Sequence, residues 1–147
     1  MPHILCALHE GDDAMKPVLF AIGFALVASG ASAQLPADLT GDWTGGYLSS
    51  DGTDVNTFDV KLTQEGARIS GTITEVNAFG DVSKALFLTS TFVGQRRGMD
   101  VSFTKTYDGS GGASHSVSYT GRLEPNGRRI RGNYNADGAT GTFEMVR

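Results

Sequence analysis

The sequence predicts an all-β fold: an eight-stranded antiparallel up-and-down barrel behind a cleaved leader. Three observations predict it. Apolar and polar residues alternate with period two from Gly41 to the last residue. Turn residues interrupt that alternation at regular intervals. The abundant glycines are spread evenly, as in tight turns and strands, and do not form one flexible tract.

The leader comes first. Met15-Lys16 is a short basic start, Pro17 to Val27 is an uncharged apolar run, and Ala31-Ser32-Ala33 is a small-residue exit before Gln34. The apolar run falls short of the roughly 20 residues needed to span a bilayer. Residues 1–33 are therefore read as a signal peptide cut after Ala33, which places the protein in the periplasm or outside the cell. Glu10, Asp12 and Asp13 are acidic where such a leader carries basic charge. The translation start is accordingly expected at Met15, with residues 1–14 a mis-assigned beginning. The single cysteine, Cys6, lies in that stretch, so the exported part has no disulfide or thiolate chemistry.

Residues 34–147 form one domain, large enough to bury a core. Without Glu10, Asp12, Asp13 and Lys16, the formal charge of −4 becomes −2. A mildly acidic domain with no basic stripe is not built for nucleic acid.

Eight strands are expected in order. A covers Gly41–Ser49, B Val55–Thr63, C Ala67–Val76 and D Ser83–Gly94. E covers Met99–Tyr107, F Ser114–Leu123, G Arg128–Tyr134 and H Thr140–Arg147. Gln64-Glu65-Gly66, Arg97-Gly98, Pro125-Asn126-Gly127 and Ala136-Asp137-Gly138 supply turn residues between them. Ser49–Asp54 and Asp108–Ala113 are longer, rich in Gly, Ser and Asp, and are read as mobile loops. The pattern L-x3-G-x-R-I-x-G occurs twice, from Leu62 to Gly71 and from Leu123 to Gly132. The same strand-turn-strand device thus serves B–C and F–G. Short strands joined by short turns make a meander, which closes into a barrel and removes its edges. A sandwich or a half-open barrel are the alternatives.

The faces follow from parity. Phe58, Val60 and Leu62 oppose Asp59, Lys61 and Thr63, and Val101 and Phe103 oppose Asp100, Ser102 and Thr104. Val117 and Tyr119 oppose Ser116, Ser118 and Thr120, and Ile130 and Tyr134 oppose Arg129, Arg131 and Asn133. The charged face meets water, which excludes a membrane-spanning barrel. Strand D departs from the pattern. Leu86, Leu88 and Phe92 share one face, and Ala85, Phe87 and Val93 the other. It is therefore a candidate homo-oligomer contact or a strand covered by a neighbouring loop.

Gly41-Asp42-Trp43 opens strand A with G-x-W, and Arg147 ends strand H on the parity of Phe143 and Met145. This resembles the calycin pattern shared in form by lipocalins and the avidin group, and it extends over the whole of residues 34–147. The resemblance implies that Trp43 closes one end of the barrel and that Arg147 packs across it. In a closed meander both residues fall at the same end. The avidin group lines its biotin site with several Trp residues, and this chain has one.

The A–B, C–D, E–F and G–H loops share the other end, which is the expected mouth. Inward parity carried toward it gives Tyr47, Phe58, Glu75, Lys105, Tyr107, His115, Tyr119 and Tyr134 as candidate ligand-binding residues. Aromatic walls with a few polar groups suit a small-molecule pocket. The competing reading places these side chains at a solvated rim. His115 is the only histidine after Ala33, which excludes a multi-His metal site. Gly109-Ser110-Gly111-Gly112 precedes no helix and is no phosphate loop. No nucleophile elbow is present, and no cofactor is implied.

The sequence thus points to non-enzymatic binding of a small, partly apolar ligand at the loop end. The alternative is a protein–protein module, protease-inhibitor-like or an envelope assembly factor, acting through its loops or strand D. A third reading is an isomerase- or cyclase-like enzyme using Glu75 and Lys105 for acid–base work.

Overall fold

A computed structural model of the chain describes residues 37–147. The expected signal peptide lies outside the described residues. The β-strands are β1 (Gly41–Ser49), β2 (Val55–Glu65), β3 (Arg68–Val76) and β4 (Phe87–Arg97), then β5 (Asp100–Tyr107), β6 (Ser116–Leu123), β7 (Arg129–Ala136) and β8 (Ala139–Val146). Each pairs antiparallel with the next, and β8 pairs with β1, so the sheet closes into a barrel in strict chain order. Among the described residues the one helical element is a single 3₁₀ turn at Ser110–Gly112, between β5 and β6.

Alternation decides what is inside. On β2 every second residue from Asn56 to Leu62 is buried, and on β5 the buried residues are Val101, Phe103, Lys105 and Tyr107. The lower interior is filled. Val60, Leu62, Ile69, Ile73, Phe92, Val101, Leu123, Ile130 and Met145 are all buried. Each such side chain contributes roughly 1.5–3 kcal/mol through its removal from water. Phe103 stacks on Tyr119 with centroids 4.7 Å apart, and Phe143 meets Tyr119 edge-on at 5.1 Å. This aromatic layer divides the packed lower half from the mouth.

The repeated L-x3-G-x-R-I-x-G pattern has a packing basis. Ile69 and Ile130 are both wholly buried. Gly71 and Gly132 both lie where the barrel wall bends tightly: a Cβ would sit 1.9 Å from Lys61 O at the first and 2.0 Å from Thr120 O at the second. The two hairpins differ in register, since Leu62 faces Gly71 whereas Leu123 faces Ile130.

The closed end is sealed by the stretch before β1. The Trp43 indole N–H donates to Leu39 O at 2.8 Å, and Leu39 is wholly buried. The Arg147 guanidinium lies 4.8 Å from the Trp43 ring centre and donates to Asp38 O (2.8 Å) and Gly127 O (3.1 Å). Arg96, inward on β4, donates to Ala37 O (2.6 Å), Gln64 Oε1 (3.2 Å) and Gly98 O (2.8 Å). A third clamp on the same stretch thus comes from β4, at a residue beyond the end of the expected strand D.

The fourth strand begins later than its composition predicts. Ser83–Leu86 belong to a loop, and β4 runs from Phe87 to Arg97. Asp81 turns the chain, its carboxylate accepting from Ser83 N (3.0 Å) and Ser83 Oγ (2.6 Å). Asn77 then clasps the loop, donating to Ala85 O (2.8 Å) and accepting from Gly80 N (2.7 Å). Leu88 and Phe92 point inward and are buried, whereas Phe87 and Val93 point outward and are exposed. No described residue covers that outer face.

Candidate functional site

The mouth lies among the β1–β2, β3–β4, β5–β6 and β7–β8 connections. A cavity of about 290 Å³ opens there. Its walls include Tyr47 from β1, Lys105 and Tyr107 from β5, Tyr119 from β6 and Tyr134 from β7. The loops add Phe79, His115 and, at the rim, Asp54. All four tyrosines of the chain face this one space. Strand pairing brings them together: Tyr119 and Tyr134 are direct partners across β6 and β7, and Tyr47 meets Tyr134 edge-on at 5.5 Å. Gly141, opposite Tyr134 on β8, leaves room for that phenol, since a Cβ there would lie 2.5 Å from the ring.

A buried polar cluster forms the floor. Lys105 Nζ donates to Glu75 Oε1 at 2.8 Å and to Tyr107 Oη at 2.7 Å. The Tyr107 hydroxyl donates to the same Glu75 oxygen. Asn56 Nδ2 approaches the other carboxylate oxygen at 3.4 Å and donates to Val76 O at 2.9 Å. Lys105 and Glu75 side chains are 1% and 0% exposed, so the pair is fully desolvated. The hydrogen bonds to Tyr107 and Asn56 help to offset the cost of taking both charges out of water.

Electrostatics follow from burial. Desolvation lowers the Lys105 pKa, and the adjacent Glu75 carboxylate opposes that shift. Burial pushes the Tyr47 phenol up to about 12. It raises Tyr107 too, helped by the hydrogen bond to Glu75, and raises Tyr119 and Tyr134 in the same direction. The cavity is thus lined by phenols held neutral, above one internally balanced ion pair.

Six of the eight residues expected at the mouth line the cavity: Tyr47, Lys105, Tyr107, His115, Tyr119 and Tyr134. Glu75 is buried behind Lys105 and is not part of the lining. Phe58 lies outside the lining as well: its ring sits over Gly45, where a Cβ would be 2.5 Å away. The sequence reading overlooked Phe79, whose ring packs at 5.6 Å from Tyr107 and 5.7 Å from His115. It also overlooked Asn56 and Asn77. Asn56 carried a signal, since it holds the inward parity of Phe58 and Val60 one step nearer the mouth. Phe79 carried none, because loop residues have no parity.

Among the described residues, no cluster of His, Cys, Asp and Glu could hold a metal ion. No helix among them is long and apolar enough to cross a membrane.

The protein is thus a closed eight-stranded up-and-down barrel, sealed at one end and open into an aromatic cavity at the other. No protein-family model and no curated protein matches the chain. Solved structures share its fold. One redesigned beta barrel superposes with a TM-score of 0.61 at 11% identity, over 74% of this chain and 90% of its own. A second, mFAP1 bound to DFHBI, gives a TM-score of 0.58 at 10% identity, over 74% of this chain and 94% of its own.

Proposed function

We propose that this protein is an exported, calycin-like barrel that binds a small, partly apolar molecule in its mouth, without catalysis. The observation that carries this reading is the mouth cavity itself: about 290 Å³ of space above a desolvated Lys105–Glu75–Tyr107 floor, walled by aromatic rings. Packed interiors rarely keep voids of that size, and ligand sites combine apolar walls with a few placed polar groups. The lower interior is filled by side chains, and this cavity lies at the loop end. That a redesigned barrel of the same fold is bound to DFHBI supports the same use of the scaffold. Native mass spectrometry of protein purified from its own host tests the reading. A co-purifying small molecule, lost on substituting Tyr119→Ala, is the expected result. A ligand-free protein that also takes up no aromatic probe would overturn it.

A protein–protein role has separate support on the outer wall. Val76 and Phe87 are direct cross-strand partners and both are about half exposed, and Leu48 and Val55 on β1 and β2 are exposed as well. An apolar surface of this kind commonly marks an interface. We assign it to pairing with a second copy through β4. Light scattering that shows a dimer, dissociated by Phe87→Ser, supports the assignment, and a clean monomer at high concentration removes it.

A further inference from the structure

The polarity of the cavity wall specifies the ligand more closely. Resting on the reading that the mouth binds a small molecule, we propose that its ligand is an uncharged, planar conjugated carbonyl compound whose oxygen points down to Lys105. Three observations lead there.

The first concerns which half of the ion pair the cavity meets. Lys105 is part of the lining, and Glu75 is not. An ammonium has three N–H donors. Two of them go to Glu75 and Tyr107, and the third has no partner among the described residues. The hydroxyls of Tyr119 and Tyr134 likewise have no hydrogen bond to a described residue. The Lys105 ammonium can only donate, so a ligand answers it with an acceptor oxygen, to which the two phenols can donate as well.

The second concerns charge. The Lys105–Glu75 pair is already neutral, so the floor has no net charge for a ligand ion to balance. An anion would meet the Glu75 carboxylate behind Lys105 and Asp54 at the rim. A cation would compete with the Lys105 ammonium, which already lies 4.3, 5.8 and 6.0 Å from the centres of Tyr107, Tyr119 and Tyr47. The aromatic cage that could hold a ligand cation is occupied by the protein's own lysine. His115, tilted against Tyr107 at 4.7 Å, completes the set of titratable groups facing the space.

The third concerns shape. The rings of Tyr47, Tyr119 and Tyr134 form one continuous wall, with centroids 5.5 and 6.0 Å apart between neighbours. A flat conjugated molecule covers such a wall in offset or edge contact. A cavity of about 290 Å³ accommodates one or two fused rings.

Four probes of one size test the proposal: acetonaphthone, ethylnaphthalene, naphthoate and naphthylmethylammonium, titrated into the protein by calorimetry and by tyrosine fluorescence. Acetonaphthone should bind about tenfold more tightly than ethylnaphthalene, the factor expected of one hydrogen bond from a charged donor. Naphthoate and the ammonium should bind more weakly than either. The double variant Glu75→Gln/Lys105→Met, which leaves no buried charge, should reduce acetonaphthone to the level of ethylnaphthalene. Equal binding of those two probes, or tightest binding of naphthoate, overturns the carbonyl assignment and leaves the binding function standing. Failure of all four to bind overturns both.

Discussion

Lys105 and Glu75 lie on β5 and β3, strands that β4 separates, yet their charged atoms are 2.8 Å apart. The contact crosses the inner face of β4, which presents the small side chain of Ser90 next to Tyr107 and Ile73. The pair thus ties three strands together beneath the cavity. Removing one partner strands the other in a desolvated site. Lys105→Met should cost about 3–5 kcal/mol, and Glu75→Gln/Lys105→Met should recover most of it. Urea unfolding of the three proteins checks this. A single variant as stable as the parent would show that the pair is not desolvated.

The tyrosines make a second prediction. All four have folded-state pKa values above the ordinary phenol value, which is about 10. Near-ultraviolet absorbance at pH about 10 should therefore show less tyrosinate in the folded protein than the half ionisation reached there once it is unfolded. The sign for stability follows. Between the unfolded and folded pKa values the folded state holds more protons, so this contribution is intact below pH about 10 and is lost as pH rises through the folded values. Lys105, shifted the other way, opposes this: its contribution grows as pH rises toward the ordinary lysine value. Ordinary titration of the four phenols in the folded state would contradict their placement in the cavity.

The closed end yields a third. Trp43 is the only tryptophan in the chain and is 1% exposed. Its emission should be that of a buried indole, resistant to aqueous quenchers, with a shift to the red on unfolding. Arg147→Ala removes the cation over the ring and two bonds to backbone carbonyls. A loss of about 1–3 kcal/mol is expected from the combined contact and hydrogen bonds, together with partial exposure of Trp43. Unchanged quenching in that variant would show that Arg147 does not seal the end.

Glycine placement gives a fourth. At Gly141 a Cβ would lie 2.1 Å from Leu48 O and 2.5 Å from the Tyr134 ring. Gly141→Ala should cost about 1–3 kcal/mol through overpacking and should displace Tyr134 from the cavity wall. Thr142→Ala, on the exposed face next to it, should change stability by less than about 0.5 kcal/mol. Chemical denaturation and loss of probe uptake in the glycine variant alone check the pair.

The strands and their faces were legible from local pattern alone. A period of two leaves each side chain only two directions, and a wall with water on one side fixes which is inside. From that rule the inward placement of Glu75, Lys105, Tyr107, Tyr119 and Tyr134 was legible; the contact of Trp43 with Arg147 was what the calycin resemblance implied, at the one end a closed meander gives them. Tertiary structure alone decided what those inward groups do to one another. That Lys105 reaches Glu75 across an intervening strand depends on stagger and curvature, which no local pattern encodes. The same holds for the clamp formed by Arg96 and for the position of Phe79 at the mouth. It holds also for the division of the interior into a packed half and an open one, because empty space is set by the summed volumes of side chains from all eight strands.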